Sequence, residues 1–128
     1  MSPANTNDIA KFADMLAAMG AEPRLRIVRL LLSAHPTGMA AGDISDELDI
    51  TPSTLSHHLD RLKREDVVTV RREGTFLWYA ANIDALERLL NFLYAECCTR
   101  TNVISPERLV GRIPASAKAA ARQTEGTP

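Results

Sequence analysis

The chain has 128 residues, of which 45% are hydrophobic, and its formal net charge is −1 at pH 7. This length and composition are typical of one compact domain with a modest core. No window approaches the roughly 18 apolar residues that a membrane span needs. Charged residues also interrupt the N-terminal stretch, where a signal peptide would need an apolar run. We therefore expect a cytoplasmic protein with no membrane partner.

The cysteines support the same compartment. The chain contains only two, Cys97 and Cys98, and they are adjacent. Neighbouring Cα atoms lie about 3.8 Å apart, which is below the usual range for a disulfide. The pair is therefore not a structural staple, and a reducing compartment is the default.

The local distribution of charge is more informative than the total. Residues 1–50 carry four cationic and seven anionic side chains, whereas residues 51–80 carry five and four before either histidine is counted. A nucleic-acid-binding surface would therefore depend on where the cations are placed and not on overall basicity.

The first third of the chain predicts two helices. Asn7 or Asp8 can open the first, which has apolar residues at helical spacing and ends near Gly20. Glu22 and Pro23 open the second. Its apolar residues are too numerous for a single stripe, which predicts a buried helix at the centre of the core.

A second pair of helices is predicted after a break at residues 35–38. Residues 39–42 can add a short strand beside a later hairpin, and residues 43–48 have the pattern of a short helix. Residues 49–50 then form a tight connection to the next helix. This order of elements is that of a helix-turn-helix.

The helix from Thr51 to Arg64 is the most informative stretch. Thr51 can accept a backbone N–H as the N-cap, and Pro52 suits the first helical position because its missing donor is no loss there. One face is apolar, with Leu55, Leu59 and Leu62, and the other is polar, with Ser53, Ser56, His57, Asp60, Arg61 and Arg64. Hydroxyls in the first turns with cations further along suit a helix that enters a DNA major groove. The alternative is an ordinary solvated surface.

A β-hairpin is predicted directly after this helix. Residues 67–70 alternate like a strand, residues 71–75 form a turn that carries Arg71 and Arg72, and residues 76–79 return. A helix-turn-helix followed by a hairpin with arginines at its tip is a winged helix. The predicted fold is therefore mainly α with a small β-hairpin wing, in the α+β class.

The last long helix, capped by Asn82 or Asp84, has a wider apolar surface than a domain of this size needs to cover. We predict a homodimer interface built from the first and last helices; the alternative is a helix packed wholly within its own subunit. The predicted organisation is a flexible N-terminus at 1–6, a DNA-binding and dimerisation domain at 7–104, and a tail at 105–128. In that tail, a short helix starting at Ser105 precedes a mostly disordered end.

These motifs together resemble the ArsR/SmtB winged-helix repressors, which are bacterial and archaeal sensors of metals and metalloids. The resemblance covers roughly residues 8–98. The matching segments are residues 21–28 in the second helix, 43–45 in the third, 48–59 around the reading helix and 67–79 in the wing.

The resemblance implies a homodimer that binds double-stranded operator DNA at an inverted repeat and represses transcription until a ligand binds. Two recognition helices would then sit about 34–36 Å apart to enter successive major grooves. The residues implied at the DNA are Thr51, Ser53, Thr54, Ser56, His57, Arg61, Arg71 and Arg72. His58 shares the apolar face and is predicted to be a packed or hydrogen-bonded framework residue.

Family members place ligand sites in different helices. A Cys-x-Cys site on the third helix is excluded because Ala40 and Gly42 stand at its positions, and an Asp–His site in the last helix is incomplete because Leu86 stands where histidine is expected. Cys97 and Cys98 then resemble the thiols of arsenic-responsive members that keep their cysteines in the last helix. Soft thiolates suit trivalent arsenic or antimony.

The number of thiols in the pair favours methylarsenite over inorganic arsenite as the ligand. Inorganic arsenite prefers three thiolates, whereas methylarsenite carries a methyl group in the third position and needs two. The predicted inducer is a trivalent arsenic species bound at Cys97 and Cys98, with methylarsenite favoured over arsenite or antimonite and no organic cofactor. Two alternatives stay open: incidental packing, and a redox sensor that forms a disulfide to the other subunit.

An enzyme is not expected. A phosphatase-type arsenate reductase needs an arginine six residues after its cysteine, and Val103 and Ile104 stand at those positions. The chain also shows no phosphate loop and no cysteine–histidine–acid set. A winged helix used purely for protein contacts is the remaining class, and a steep salt dependence of operator binding would exclude it.

Overall fold

The computed structural model describes residues 6–100, with side chains from residue 8 onward. The predicted N-terminal segment before Thr6, the short helix at Ser105 and the C-terminal tail lie outside the described residues. The chain divides into two compact units, residues 1–89 and 90–128. Each unit is described by itself.

The described residues form five helices and three strands. In chain order these are α1 (Thr6–Met19), α2 (Glu22–Ser33), β1 (Met39–Ala40), α3 (Ala41–Leu48), α4 (Pro52–Arg64), β2 (Val68–Glu73), β3 (Phe76–Ala81) and α5 (Ile83–Ala95). The winged-helix prediction is confirmed. No described helix is long and apolar enough to cross a bilayer.

The helix ends follow the local chemistry of the sequence. α1 stops just before Gly20, and Pro23 lies in the first turn of α2, where a missing N–H costs nothing. Asn82 caps α5, because its side-chain oxygen accepts the backbone N–H of Ala85 at 3.2 Å. α3 begins at Ala41, two residues earlier than the predicted Asp43.

The three strands form an antiparallel sheet in the order β1-β3-β2. The predicted short strand before α3 is confirmed, since Met39 pairs with Tyr79 and Ala40 with Trp78. The chain reaches this edge through Gly38, whose φ of +80° favours glycine. A Cβ at Gly38 would collide with the carbonyl oxygen of Tyr79, so β1 can approach β3 only without a side chain there.

One hydrophobic core joins the helices of the first unit to the base of the wing. Its buried side chains are Met15, Ala18, Ile27, Val28, Leu31, Ile44, Leu55, Leu59, Leu62, Val67, Val68, Tyr79, Ala81, Ala85 and Leu89. Every described helix contributes to this list. The reading helix is therefore held by the same core that holds the wing.

The prediction that α2 is buried on all sides is wrong. Its core face consists of Ile27, Val28 and Leu31. Leu25 is 47% exposed and Leu32 is 40% exposed in the single subunit. α1, α3, α4 and β3 pack against α2, and the core that they form covers its Ile27 face but leaves Leu25 and Leu32 exposed.

The wing differs from its predicted boundaries. The two-residue turn is Gly74–Thr75, and Glu73 pairs with Phe76 across it. Gly74 has φ +62°, as the first central position of a two-residue hairpin turn requires. Arg71 and Arg72 therefore lie within β2 and not at the tip, and the two side chains point to opposite faces of the strand.

The described part of the second unit begins with the last turns of α5. Leu90 is 54% exposed, Leu93 is 51% exposed and Tyr94 is 46% exposed. α5 ends at Ala95, so Cys97 and Cys98 lie in the turn after the helix and not inside it. Cys98 has φ +62°, a conformation that cannot continue a right-handed helix.

Candidate DNA-binding surface and thiol site

The connection between α3 and α4 is fixed by local hydrogen bonds. Asp49 adopts the left-handed conformation at the end of α3, with φ 54°. The backbone N–H of Ile50 donates to the carbonyl of Ser45 at 3.1 Å, and the Ser45 hydroxyl donates to the carbonyl of Ile50. These bonds hold the angle at which α4 leaves α3.

α4 separates its two faces as the sequence predicts. Leu55, Leu59 and Leu62 are at most 2% exposed. The polar side chains of the first turns, Ser53, Thr54, Ser56 and His57, are exposed, and Arg61 is half-buried. The structure thus brings the predicted DNA-facing hydroxyls and imidazole onto one open surface, with the cations of the last turn behind them.

Thr51 stands at the N-cap position but does not cap the helix with its side chain. Its hydroxyl donates instead to the hydroxyl of Thr54 at 3.0 Å. Pro52 has no N–H to offer, and the first turn is closed by the backbone N–H of Leu55, which donates to the Thr51 carbonyl at 2.9 Å. The predicted cap hydrogen bond is therefore wrong, although the helix begins where it was expected.

His58 lies between the two faces of α4 and is partly buried, which agrees with a framework position. Burial lowers its pKa, and the nearby charges of Arg24 and His57 lower it further. The imidazole of His58 is therefore neutral at pH 7. A neutral, partly buried ring is a poor candidate for contact with a phosphate.

The two wing arginines have different surroundings. Arg71 donates from Nε to Glu73 Oε1 at 2.9 Å and from Nη1 to the carbonyl of Thr37 at 2.8 Å. Its guanidinium also lies 5.3 Å from the centroid of the Trp78 ring, at the distance of a cation–π contact. These three contacts hold Arg71 against the outer face of the sheet.

Arg72 is exposed and makes no hydrogen bond or ion pair within the described residues. The register places it opposite Leu77, on the face of the hairpin that it shares with Val70 and Tyr79. Tyr79 packs into the core, so Arg72 continues the side of the wing that adjoins α4. Of the two arginines, Arg72 is the one whose charge is available to a ligand on that side.

The sequence did not single out Trp78 or Tyr79 beyond their place in a strand. The Trp78 ring contacts the Arg71 guanidinium. The Tyr79 carbonyl lies where a Cβ on Gly38 would collide with it, and the Tyr79 ring packs in the core. Alternation along the strand could have assigned each ring to a face. It could not have shown which groups each ring would meet.

The thiol pair lies in the second unit. Cys97 Sγ and Cys98 Sγ are 3.2 Å apart, both thiols are free and both residues are half-buried. The hydrogen bond with Cys98 raises the pKa of Cys97, and burial and the adjacent sulfur raise it further. The sulfurs are thus close enough to bind one soft atom together.

No group of three or more His, Cys, Asp and Glu side chains within residues 6–100 is placed to hold a metal ion. His35, His57 and His58 do not converge with any carboxylate pair there.

Comparison with known proteins identifies the class. A family model described as a helix-turn-helix domain matches residues 19–71. The transcriptional repressor SdpR of Bacillus subtilis is 31% identical over 80 residues, which is 62% of this chain and 86% of SdpR. The transcriptional activator HlyU of Vibrio cholerae is 33% identical over 90 residues, 68% of this chain and 81% of HlyU. An arsenical resistance operon repressor of Staphylococcus aureus is 28% identical over 83 residues, 65% of this chain and 77% of that repressor.

Solved structures agree with the fold. HlyU from Vibrio cholerae has a TM-score of 0.56 at 32% identity, covering 73% of this chain and all of that one (100%). The homodimeric winged helix-turn-helix DNA-binding domain of Mb0332 from Mycobacterium bovis, a possible ArsR-family regulator, has a TM-score of 0.58 at 26% identity and covers 74% of this chain and 88% of that one. These relatives are transcriptional regulators and not enzymes, and the chain belongs with them to the ArsR/SmtB-type family of winged helix-turn-helix transcriptional regulators.

Proposed function

We propose that the protein is a homodimeric repressor that leaves an inverted-repeat operator when a trivalent arsenical binds Cys97 and Cys98. The observation that carries the DNA part is the open polar surface of α4, with Ser53, Ser56 and His57 exposed above a fully buried leucine face. Such a helix presents donors and acceptors to base edges while the core fixes its position.

The charges near α4 support contact with the DNA backbone. Arg61, Lys63 and Arg64 lie in the last turn of α4, and Arg72 lies on the adjoining face of the wing. Cations at these two places can meet phosphates on either side of the groove that the helix enters. Arg71 contacts Glu73, Thr37 and Trp78, and we therefore propose that it stabilises the wing and does not bind phosphate.

A homodimer is supported by apolar side chains that the single subunit leaves exposed. Ile9 is 54% exposed and Leu16 is 44% exposed on α1, and α5 exposes Leu90, Leu93 and Tyr94. Exposed apolar residues repeated along helices are typical of a surface that a second subunit covers. The Mycobacterium bovis relative is homodimeric, which favours the same assembly here.

Repression is favoured over activation by the kind of ligand site proposed. The relatives include both a repressor and an activator, so the family alone does not decide the direction. The Staphylococcus aureus relative is a repressor of an arsenical resistance operon. A regulator that is released by a toxic metalloid gives the simplest control of a resistance gene, because the gene is then expressed only when the toxin is present.

The thiol chemistry balances for a monomethylated arsenical. CH₃As(OH)₂ and two thiols give CH₃As(SR)₂ and two water molecules, with two As–O bonds replaced by two As–S bonds and no change of oxidation state. The Sγ–Sγ distance of 3.2 Å places both sulfurs within reach of one arsenic atom. Soft thiolates favour such a centre over hard cations.

Binding would act on DNA by coupling two equilibria. Ligation of both sulfurs fixes the turn after α5, and we propose that it changes how the two subunits meet and hence the spacing of their reading helices. Typical couplings of about 1–3 kcal/mol change affinity by roughly 5- to 150-fold. Reciprocity requires the operator to weaken arsenical binding by the same factor.

A thiol-redox sensor of the same fold is the second candidate, and the two free thiols themselves favour it. A peroxide would oxidise one thiolate to a sulfenic acid and be reduced to water, and the sulfenic acid would condense with a thiol of the partner subunit and release water. The raised pKa of Cys97 slows the first step, because the thiolate is the reactive form. The same raised pKa also slows attack on an arsenical, so the arsenical is preferred for another reason: the Sγ–Sγ distance of 3.2 Å lets both sulfurs bind one soft atom.

Fluorescence anisotropy on DNA from the protein's own promoter tests both candidates. The complex is titrated with methylarsenite, arsenite, antimonite, zinc and hydrogen peroxide, using the wild type, the Cys97→Ser/Cys98→Ser double variant and a Thr99→Ala control. We expect methylarsenite to release the wild type and the control but not the double variant. Equal potency of arsenite removes the preference for the organic form, release by peroxide alone supports the redox sensor, and failure of the wild type to bind any promoter DNA refutes the proposed function.

A further inference from the structure

A crevice lies between the start of α3, the first half of α4 and β3. Its volume is about 160 Å³, and its lining includes Gly42, Ser45, Ser56, Leu77 and Tyr79. The lining is mainly apolar, with the buried Leu55 and Leu59 in it, and its polar side chains are the hydroxyls of Ser45, Ser56 and Tyr79. The Ser45 hydroxyl is already bonded to the carbonyl of Ile50, so the hydroxyls of Ser56 and Tyr79 remain.

Tyr79 is the unusual member of this set. The residue is only 8% exposed and its ring belongs to the core, yet its hydroxyl makes no hydrogen bond within the described residues. A buried tyrosine ring normally gives its hydroxyl a partner. No side-chain polar atom sealed inside the described residues lacks a partner, so the Tyr79 hydroxyl keeps some contact with solvent, and Tyr79 is one of the residues that line the crevice.

The hydroxyl is also a donor that keeps its proton. Burial raises the pKa of Tyr79 above its ordinary value, and the carboxylate of Asp60 on α4 raises it further. The group therefore stays protonated throughout the neutral range. A protonated hydroxyl with no partner suits an acceptor that arrives with the ligand.

The start of α3 lines the same crevice through Ala41 and Gly42. α3 has no side-chain cap, so its first-turn amides have no side-chain acceptor. Gly42 stands in this first turn, and a Cβ built on it would meet nothing within 4 Å. Uncapped amides at a helix N-terminus favour an anion, and the absent side chain leaves the approach open.

The position of the crevice selects the anion. If α4 enters a major groove while the wing reaches the neighbouring minor groove, the sugar–phosphate strand that separates the two grooves must cross between them. Because Ser56 of α4 and Leu77 of the wing both line the crevice, that strand would pass over it. Resting on the proposed function, we infer that the crevice seats one backbone phosphate of the operator, with the Tyr79 hydroxyl as donor beside Ser56 and the Gly42 amide.

The seat would position the protein on DNA and carry no sequence information, because every nucleotide presents the same phosphate. Its hydroxyl and amide donors are neutral, so they strengthen binding without releasing a counterion. This property distinguishes the seat from a contact made by arginine or lysine, which adds about 0.9 to the slope of log affinity against log salt.

The test compares Tyr79→Phe with Ser33→Ala, which removes an exposed hydroxyl at the end of α2, outside both proposed sites. Tyr79→Phe keeps the buried ring, and its melting temperature should match the wild type. We expect the Tyr79→Phe dimer to bind both operator and unrelated duplex DNA about 100-fold more weakly, because each of its two subunits loses one hydrogen bond to a charged group, which is worth about tenfold. The slope of affinity against salt should not change, and Ser33→Ala should bind as the wild type does. Equal binding by Tyr79→Phe and the wild type would overturn the inference.

A methylphosphonate scan of the operator locates the contact. Each phosphate is replaced in turn by its uncharged analogue, and both proteins are titrated on every duplex. At one phosphate per half-site, the methylphosphonate should weaken binding of the wild type. The same replacement should hardly change the affinity of Tyr79→Phe, because that variant already lacks the interaction. Additive losses at every position would show that Tyr79 touches no phosphate.

A second variant tests the seat without touching the tyrosine. Gly42→Glu brings a carboxylate to the crevice in open space, and an acidic residue in a helix's first turn does not disturb folding. We expect it to weaken binding to all duplexes more than Tyr79→Phe does, and normal DNA binding by this variant would count against the seat. Saturable binding of inorganic phosphate that disappears in Tyr79→Phe, with unchanged DNA affinity, would assign the crevice to a free anion and overturn the DNA contact. If the wild type binds no DNA at all, the proposed function itself fails.

Discussion

The contrast between the two wing arginines gives the sharpest quantitative prediction. Arg72 has no partner within the described residues, whereas Arg71 is held by Glu73, Thr37 and Trp78. We therefore expect Arg72→Gln to remove one phosphate contact per subunit and Arg71→Gln to remove none. The two variants change the same residue type at neighbouring positions, so each is the matched control of the other.

The magnitude for Arg72→Gln follows from counterion release. Each neutralised phosphate contributes about 0.9 to the slope of log affinity against log salt, so a dimer that loses two contacts loses about 1.8. Over a fourfold rise in salt, from about 50 to 200 mM, that slope corresponds to roughly a tenfold change in affinity. The variant should bind more weakly than the wild type at low salt and approach it at high salt.

The magnitude for Arg71→Gln comes from the contacts that it makes inside the wing. Its ion pair with Glu73 is exposed, with side-chain accessibilities of 42% and 58%, and such a pair contributes about 0–1 kcal/mol. A cation–π contact at an exposed site adds about 0.5–1 kcal/mol. We expect the free energy of unfolding to fall by about 1 kcal/mol, while the salt slope stays at the wild-type value.

Fluorescence anisotropy at four or more salt concentrations gives the slopes, and urea denaturation gives the stabilities. The conclusion that Arg72, and not Arg71, is available to DNA is refuted if Arg71→Gln lowers the slope of log affinity against log salt and Arg72→Gln does not. Equal flattening by both would show that the Glu73 and Thr37 contacts break when DNA binds.

Three further predictions test the fold, the framework histidine and the thiols. Gly38→Ala should lower the free energy of unfolding by about 1–3 kcal/mol, because Gly38 has a positive φ and an added Cβ would collide with the Tyr79 carbonyl. Gly42→Ala is the control and should raise the free energy of unfolding by about 0.5–1 kcal/mol, because a Cβ there meets nothing within 4 Å. Equal changes in the two variants on denaturation would contradict the packing of β1. The pKa of His58 is lowered in the folded state, so the unfolded chain takes up the proton first and stability should decline as pH falls below 6.5; His58→Gln should remove that part of the decline, and an unchanged pH profile would exclude the residue. The pKa of Cys97 is raised, so the rate at which methylarsenite releases DNA should increase with pH toward that raised pKa in stopped-flow anisotropy, and a rate independent of pH would show that this thiolate is not the attacking group.

Much of the architecture is encoded locally and was predicted from the sequence. Leucines at helical spacing fix which face of α4 is buried, Pro52 fixes its start, and Asn82 fixes the start of α5. The order of these elements is enough to identify a winged helix. Each of these features depends on residues a few positions apart, where the periodicity of the backbone alone decides the neighbours.

The errors lie where one of two faces, or one of two nearby hydrogen-bond partners, must be chosen. The apolar surplus of α2 predicts burial, but the core covers only the Ile27 side and leaves Leu25 and Leu32 exposed. The sequence predicts that Thr51 caps its helix, but its hydroxyl bonds to Thr54. A pattern gives the composition of a face and does not give how much protein is available to cover it.

The sequence by itself determined the fold class, the reading helix and the presence of two soft thiols next to each other. Only the tertiary structure decided which of two adjacent arginines is available, because the carbonyl that holds Arg71 belongs to Thr37, 34 residues away. The same holds for Tyr79, whose ring is buried in the core although the residue also lines the crevice between α3, α4 and β3. Hydrogen bonding and burial depend on which groups come together in space, and in a chain that folds back on itself those groups are seldom neighbours along it.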